Sequence, residues 1–390
     1  VDPTNPYFTG DTTNNKIYAW HPLLYRVEPN KNISEVISNI DLRIGNTTPG
    51  AIRFNTDSMK LEYYHGGPLG IGTDTTGEWV QLTSDTPDIQ TGGTRGVFGG
   101  GDTPTPTMDY VNVSTTGNAA DFDDFTYNAA FICKGGAASR VRGLFQGGRV
   151  AQNTINGFTF ASTGSAFDFG NLTVGREDPA GVSNSTRGVF MAGGQHPGVS
   201  PYSGFLNTID YVTIPSSGNA RDFGDTTESR RHQGTCCSQT RGVCAAGYNG
   251  PAGTPSNVID FITISTLGNA ADFGDATDEY YGTSSSSNSI RGVFSAGRAT
   301  PGNVNTIFYI TIATLGNALD FGDLIDTSQY AAGVVSSPTR VCVGGGASPS
   351  NTNRISYVEI ASTGDAKDFG DLTVARQHLG GTSNGHGGLG

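Results

Sequence analysis

A four-residue element, Arg-Gly-Val-Phe followed by small residues, returns six times in this chain of 390 residues. It stands at 95–98, 142–145, 187–190, 241–244, 291–294 and, in degenerate form, 340–343. Successive arginines are 47, 45, 54, 50 and 49 residues apart. A period of this size means one supersecondary unit per repeat, too small to bury both of its faces without neighbours. Each copy is followed by a stretch apolar and aromatic on both faces, at 108–113, 155–160, 209–214, 259–264, 307–312 and 355–360. That is the pattern of a strand packed on two sides. A third element, Gly-Asn-Ala-x-Asp-Phe-Gly-Asp with variations, begins at Gly117, Gly164, Gly218, Gly268, Gly316 and Gly364. Gly and Asn supply the positive φ of a tight turn, and the whole element is read as the turn closing each unit. Its Phe is a repeated apolar anchor.

Three or four short strands per repeat, six times over, predict an all-β chain with a six-bladed β-propeller, because a closed ring leaves few strand edges exposed. Residues 379–384 read like the stretch before a seventh copy that never comes, and the stretch before Arg95 reads as truncated. The last strand is therefore expected to complete the first blade. The repeats place the propeller at 87–390, behind a small β-rich domain at 1–86, with Pro87 and the polar and Gly residues after it at the boundary.

Composition agrees. The chain holds 57 Gly, and only 15% of its residues are charged, a mix that suits short strands and tight turns rather than long helices. A net charge of −12 without a Lys/Arg cluster excludes nucleic acid as the expected partner, and no apolar run is long enough to span a membrane. No signal peptide is read after Val1. The five cysteines, Cys133, Cys236, Cys237, Cys244 and Cys342, lack metal spacing or a disulfide framework and read as small buried apolar residues.

The Gly doublets at 99–100, 147–148, 193–194 and 344–345 resemble the kelch family, although the family's Tyr and Trp further along the blade are missing. The resemblance implies architecture only. The strand at 207–214, the segment Ser-Thr-Gly-Asp-Ala-Lys-Asp-Phe-Gly-Asp-Leu-Thr-Val-Ala-Arg at 362–376 and the tail at 383–389 resemble propeller-bearing structural proteins of tailed bacteriophages of the marine cyanophage type. In the first 86 residues, 50–55 and 59–64 read as a hairpin and 78–82 as a third strand. That set is similar to a short β module of phage tail fibres. Ile33, Val36, Ile37 and Ile40 lie at helical spacing, suiting a short helix or an irregular core segment.

Motifs with chemistry are few. Asp-Phe-Gly matches the kinase metal loop by letters alone, since no phosphate loop or catalytic Asp loop accompanies it. Paired aspartates such as Asp222 and Asp225 offer calcium too few ligands, and Asn171 replaces one of them. His232 and His378 hold similar repeat positions, but their blades lie far apart in the ring, which separates them unless both point into the axis. No catalytic set, metal or cofactor is expected. The six repeated arginines are expected to pair with an Asp of their own or the next blade. The loops after each Gly-rich strand vary in length and gather on one propeller face. They offer His196, Tyr202 and Phe205 in the longest, and Tyr248 and Asn249 in the next. Aromatic and amide groups on a rigid scaffold suit carbohydrate or protein binding.

The expectation is a binding protein rather than an enzyme. It is a virion appendage such as a tail fibre, on the particle surface, presenting the propeller to a host-surface glycan or protein. The N-terminal module attaches it to other virion proteins, and the fibre resemblance implies a homotrimer. The alternatives are a capsid or neck decoration protein without receptor specificity, and a cellular kelch-type scaffold.

Overall fold

The structure is a computed structural model. It describes residues 9–11, 16–18, 52–55, 60–65, 78–81 and 94–389, except 104, 130–134, 150–151, 196–203, 251–252, 296, 327–331 and 348–349. The chain divides into two compact units, 1–86 and 87–390.

In the first unit, Ile52–Asn55 and Lys60–His65 form an antiparallel hairpin, with Glu78–Gln81 paired on the far side of the second strand. These are the three strands read from the sequence. A separate short pair, Thr9–Asp11 with Lys16–Tyr18, was not foreseen. The segment 33–40 lies outside the described residues.

In the second unit the described residues form six four-stranded antiparallel sheets, the blades of a six-bladed β-propeller. From the axis outward, blade 1 is Gly380–Ser383, Arg95–Gly99, Thr105–Asn112 and Ala120–Ala129. Blade 2 is Ala137–Ala138, Arg142–Gln146, Thr154–Thr159 and Phe167–Asn171. Blade 3 is Ala180–Ser183, Arg187–Gly194, Phe205–Thr213 and Arg221–Asp225. Blade 4 is Gly234–Cys237, Arg241–Ala245, Ser256–Thr263 and Ala271–Tyr280. Blade 5 is Ser284–Ser287, Arg291–Ser295, Thr306–Thr311 and Leu319–Asp323. Blade 6 is Gly333–Ser336, Arg340–Gly344, Arg354–Glu359 and Lys367–Asp371. The last strand of the chain does complete the first blade, with Gly380 opposite Gly99 and Ser383 opposite Gly96.

The core lies between blades. Six apolar clusters each draw side chains from two adjacent blades, the last joining blade 6 to blade 1. The repeated Phe, at 122, 169, 223, 273, 321 and 369, enters each cluster once and is buried. Each such ring contributes roughly 1.5–3 kcal/mol.

Two sequence expectations need correction. The Asp-Phe-Gly-Asp segment is the outer strand of each blade rather than a turn; the chain turns in the Gly-Asn that precedes it. A bulge between Ile209 and Asp210 of the neighbouring strand accommodates the segment in blade 3, and the same irregularity recurs in blade 4. Gly224, at φ 148°, packs against the Gly268 turn of the next blade, where a Cβ would collide with the Gly268 carbonyl. The Asn269 side chain then accepts a hydrogen bond from the Asp225 amide (3.0 Å), tying outer strand to neighbouring turn.

The repeated arginines pair with carbonyls of the next blade, not with aspartates. Arg95, Arg142, Arg187, Arg241 and Arg291 donate to the carbonyls of Phe160, Ile214, Ile264, Ile312 and Ile360 at 2.6–2.8 Å. Arg340 donates to Ser114 and meets a carboxylate in its own blade, Glu359 (2.8 Å). Five of the guanidinium groups lie 4.4–4.8 Å over Tyr110, Tyr211, Phe261, Tyr309 and Tyr357. The carbonyl that ends each third strand has no ladder partner there, so a planar cation stacked on an aromatic ring is well placed to satisfy it.

Candidate functional site

Strand alternation sorts the connections. Loops between second and third strands, and the crossovers from one blade into the next, share one face; the turns between first and second strands lie on the other. The variable loops and the entrances to the axial strands therefore share a mouth.

At its centre sit three residues, each two positions before an axial strand. They are Asp178 of blade 3, His232 of blade 4 and His378 of blade 1, all buried. All three adopt positive φ, 52°, 59° and 57°, and blade 5 places Gly282 (69°) at the same position. By register with the second strand, where Ala138 of blade 2 matches Ser183 of blade 3, the equivalent positions of blades 2 and 6 are Cys133 and Ala331, which lie outside the described residues. His232 Nδ1 is 3.3 Å from Asp178 Oδ2, and the two imidazole rings are 5.6 Å apart. The histidines meet under the one condition the sequence left open, that both point into the axis. Blades 4 and 1 lie opposite one another, but both residues precede axial strands and so point into the axis.

Behind each of the three stands a buried ion pair made by the residue two positions earlier. Arg176 meets Asp210 at 2.8 Å, Arg376 meets Asp109 at 2.7 Å, and Arg230 meets Asp260. The aspartates also accept from the crossover, Thr173 to Asp210 at 2.5 Å and Thr373 to Asp109 at 2.6 Å. Blade 5 replaces the pair by Tyr280 stacked on Phe308, 5.4 Å between centroids. Blades 2 and 6 carry Asn156 and Ser356 where the other three carry Asp.

Around this centre lie the loop residues. Phe205 and Tyr248 meet edge to face at 6.0 Å, and Tyr248 contacts Tyr281 at 5.1 Å. Arg231 lies over Phe205 at 5.0 Å and binds Glu177 at 3.0 Å; Arg298 lies over Tyr281 at 5.6 Å. Tyr248 and Asn249 form a short strand paired with Arg230–Arg231. Phe205, Tyr248, Asn249 and Tyr281 are partly exposed. Three of the five residues singled out from the sequence are thus brought together; His196 and Tyr202 lie outside the described residues. Arg231, Tyr281 and Asp178 were missed. Aligning the repeat on the residues just before the axial strands, Glu-Asp-Pro, Arg-His-Gln, Tyr-Gly-Thr and Gln-His-Leu, would have found them.

The other mouth is closed by the tail. Gly387–Leu389 forms a 3-10 turn against the axial strands, and Arg140 donates to the Leu389 carbonyl at 3.0 Å. His386 contacts Ser183 Oγ and the Ala138 carbonyl, both at 3.2 Å, and accepts from the Gly388 amide at 3.1 Å. Burial pushes its pKa down to about 4. A cavity of about 20 Å³ between the plug and the axial strands has room for one water. Four cysteines are buried free thiols, as expected, and burial raises Cys237 to about 11 and Cys244 to about 12. Cys133 lies outside the described residues. On the plug face, a polar groove of about 380 Å³ at Arg187, Tyr211 and Arg221 is lined by parts of the repeat itself.

No protein-family model matches the chain, and no curated protein matches it.

Proposed function

We propose that this chain is a binding module of a virion appendage, a tail fibre or similar structure, whose propeller holds a host-surface glycan or protein on its variable-loop face. The observation that carries this reading is the cluster of Phe205, Tyr248 and Tyr281, partly exposed on that face and bordered by Arg231, Arg298 and Asn249. Flat aromatic faces with adjacent cations and an amide suit sugar rings and protein surfaces. A rigid scaffold holds them there with little ordering on binding. The resemblance of the strand at 207–214 and the segment at 362–376 to phage structural proteins, and of the first unit's hairpin to a tail-fibre module, supports the virion assignment. In this reading residues 1–86 join other virion proteins and trimerise. Three weak sites per fibre then gain strength by multivalency.

Two measurements test it. Gold-labelled antibody on purified particles is expected at the outer ends of tail fibres. Label on head or neck favours a decoration protein, and no label on any particle favours a cellular scaffold. The full chain is expected to bind host cells, and the Tyr248→Ala, Tyr281→Ala double variant to lose that binding while keeping its circular dichroism. Unchanged binding by the variant removes the aromatic face from the assignment.

A further inference from the structure

We propose that Asp178, His232 and His378 bind one transition-metal ion of the zinc class at the loop-face mouth of the axis. The three side chains offer a carboxylate oxygen and two imidazole nitrogens that lie within 4.8 Å of one another. Two imidazoles with one carboxylate are a borderline donor set, suited to zinc and its neighbours rather than to calcium or magnesium. The 3.3 Å between His232 Nδ1 and Asp178 Oδ2 is already the edge of a tetrahedron whose bonds are about 2.0–2.1 Å. The third donor closes on it by side-chain rotation. Three protein ligands leave a coordination position for water.

Two further observations point to the same three residues. Left-handed backbone is disfavoured for a residue with a Cβ, and Gly282 shows that glycine serves at this position. Asp178, His232 and His378 nevertheless occupy it in the three blades whose side chains meet. The buried Arg–Asp pairs also follow the ligands. Blades 1, 3 and 4 have both; blade 5 has Gly282 at the axis and Tyr280 on Phe308 behind it. Each pair fixes the crossover two residues before a ligand, as outer groups orient metal ligands elsewhere. The ion would tie opposite sides of the ring, blades 4 and 1, through blade 3, a second clasp at the mouth away from the tail plug.

The test uses the full, tag-free chain, stripped with a chelator and then given Zn²⁺ alone. Elemental analysis after gel filtration is expected to find one Zn²⁺ per chain, and calorimetry a higher Tm with Zn²⁺ than without. Co²⁺ in its place is expected to give the visible absorption of a four- or five-coordinate ion. His378→Gly and His232→Gly suit the left-handed backbone and are expected to keep the metal-free Tm, while affinity falls by about 100-fold or more. Asp178→Asn, nearly isosteric, is the second check and is expected to weaken binding with the fold intact. The proposal is overturned if the wild type retains no Zn²⁺ and shows no change in Tm. It is equally overturned if the His232→Gly, His378→Gly double variant binds Zn²⁺ as tightly as the wild type.

Discussion

The two mouths of the propeller axis are closed by opposite means. One is filled by the chain's own end, Gly387–Leu389, with His386 held neutral among backbone carbonyls, hydroxyls and a thiol. The other is lined by Asp178, His232 and His378, braced by three buried ion pairs and surrounded by aromatic loops. The plug needs close approach of backbone to backbone, so it is built from glycine. A Cβ on Gly388 would collide with the Ser183 carbonyl, and one on Gly387 with those of Asn288 and Cys237. The loop-face mouth instead holds charge in a ring of strands, and its buried arginines are met by aspartates. A mouth sealed by backbone is a structural closure; a mouth lined by ionisable side chains and partly exposed aromatics leaves side-chain chemistry at its rim.

The comparison breaks most strongly at the ion pairs. Asp260→Ala strands the Arg230 guanidinium in the interior and is expected to cost about 3–5 kcal/mol in urea unfolding. Replacing both partners in the manner of blade 5, Arg230→Tyr with Asp260→Phe, is expected to recover most of that loss. If the single variant unfolds like the wild type, the pairs do not brace this mouth.

The plug is expected to respond to acid. The folded His386 value of about 4 lies below the ordinary 6.5, so the neutral ring stabilises the fold fully above pH 6.5. That contribution is lost as pH falls from about 6.5 to 4, to a total of about 3 kcal/mol. His386→Asn is expected to flatten the dependence of stability on pH in that window. An unchanged slope means that His386 is not the group that titrates.

Smaller effects sharpen the contrast. Gly388→Ala is expected to cost about 1–3 kcal/mol by overpacking the plug, with faster amide exchange at 387–389 and none at the aromatic loops. Equal loosening at both mouths would show that they are not independent. Tyr248→Ala is expected to change stability least, by about 1 kcal/mol, because the ring is partly exposed and its aromatic contacts are with Phe205 and Tyr281.

The three strands of the first unit were legible from their own alternation and turn residues. Six blades and the strand that closes the ring were legible in the sequence, because a repeat prints the same packing constraint six times. The Phe anchors were legible for the same reason. The arginines were not, because the third-strand carbonyl they satisfy belongs to the next blade, and carbonyls leave no trace in sequence. Asp-Phe-Gly-Asp was mistaken for a turn because its Gly and Asp also serve an outer strand pressed against a neighbour's turn.

Of the candidate site, Phe205, Tyr248 and Asn249 were found as loop residues, whereas Tyr281 and Arg231 sit in crossovers that read as connections. By itself the sequence determined the repeat, the number of blades and the apolar anchors, since these depend on local period and on burial between like neighbours. Only the tertiary structure decided that Asp178, His232 and His378 meet. Residues from blades 3, 4 and 1, up to 200 positions apart in the chain, come within reach because the closed ring turns each of them toward one axis.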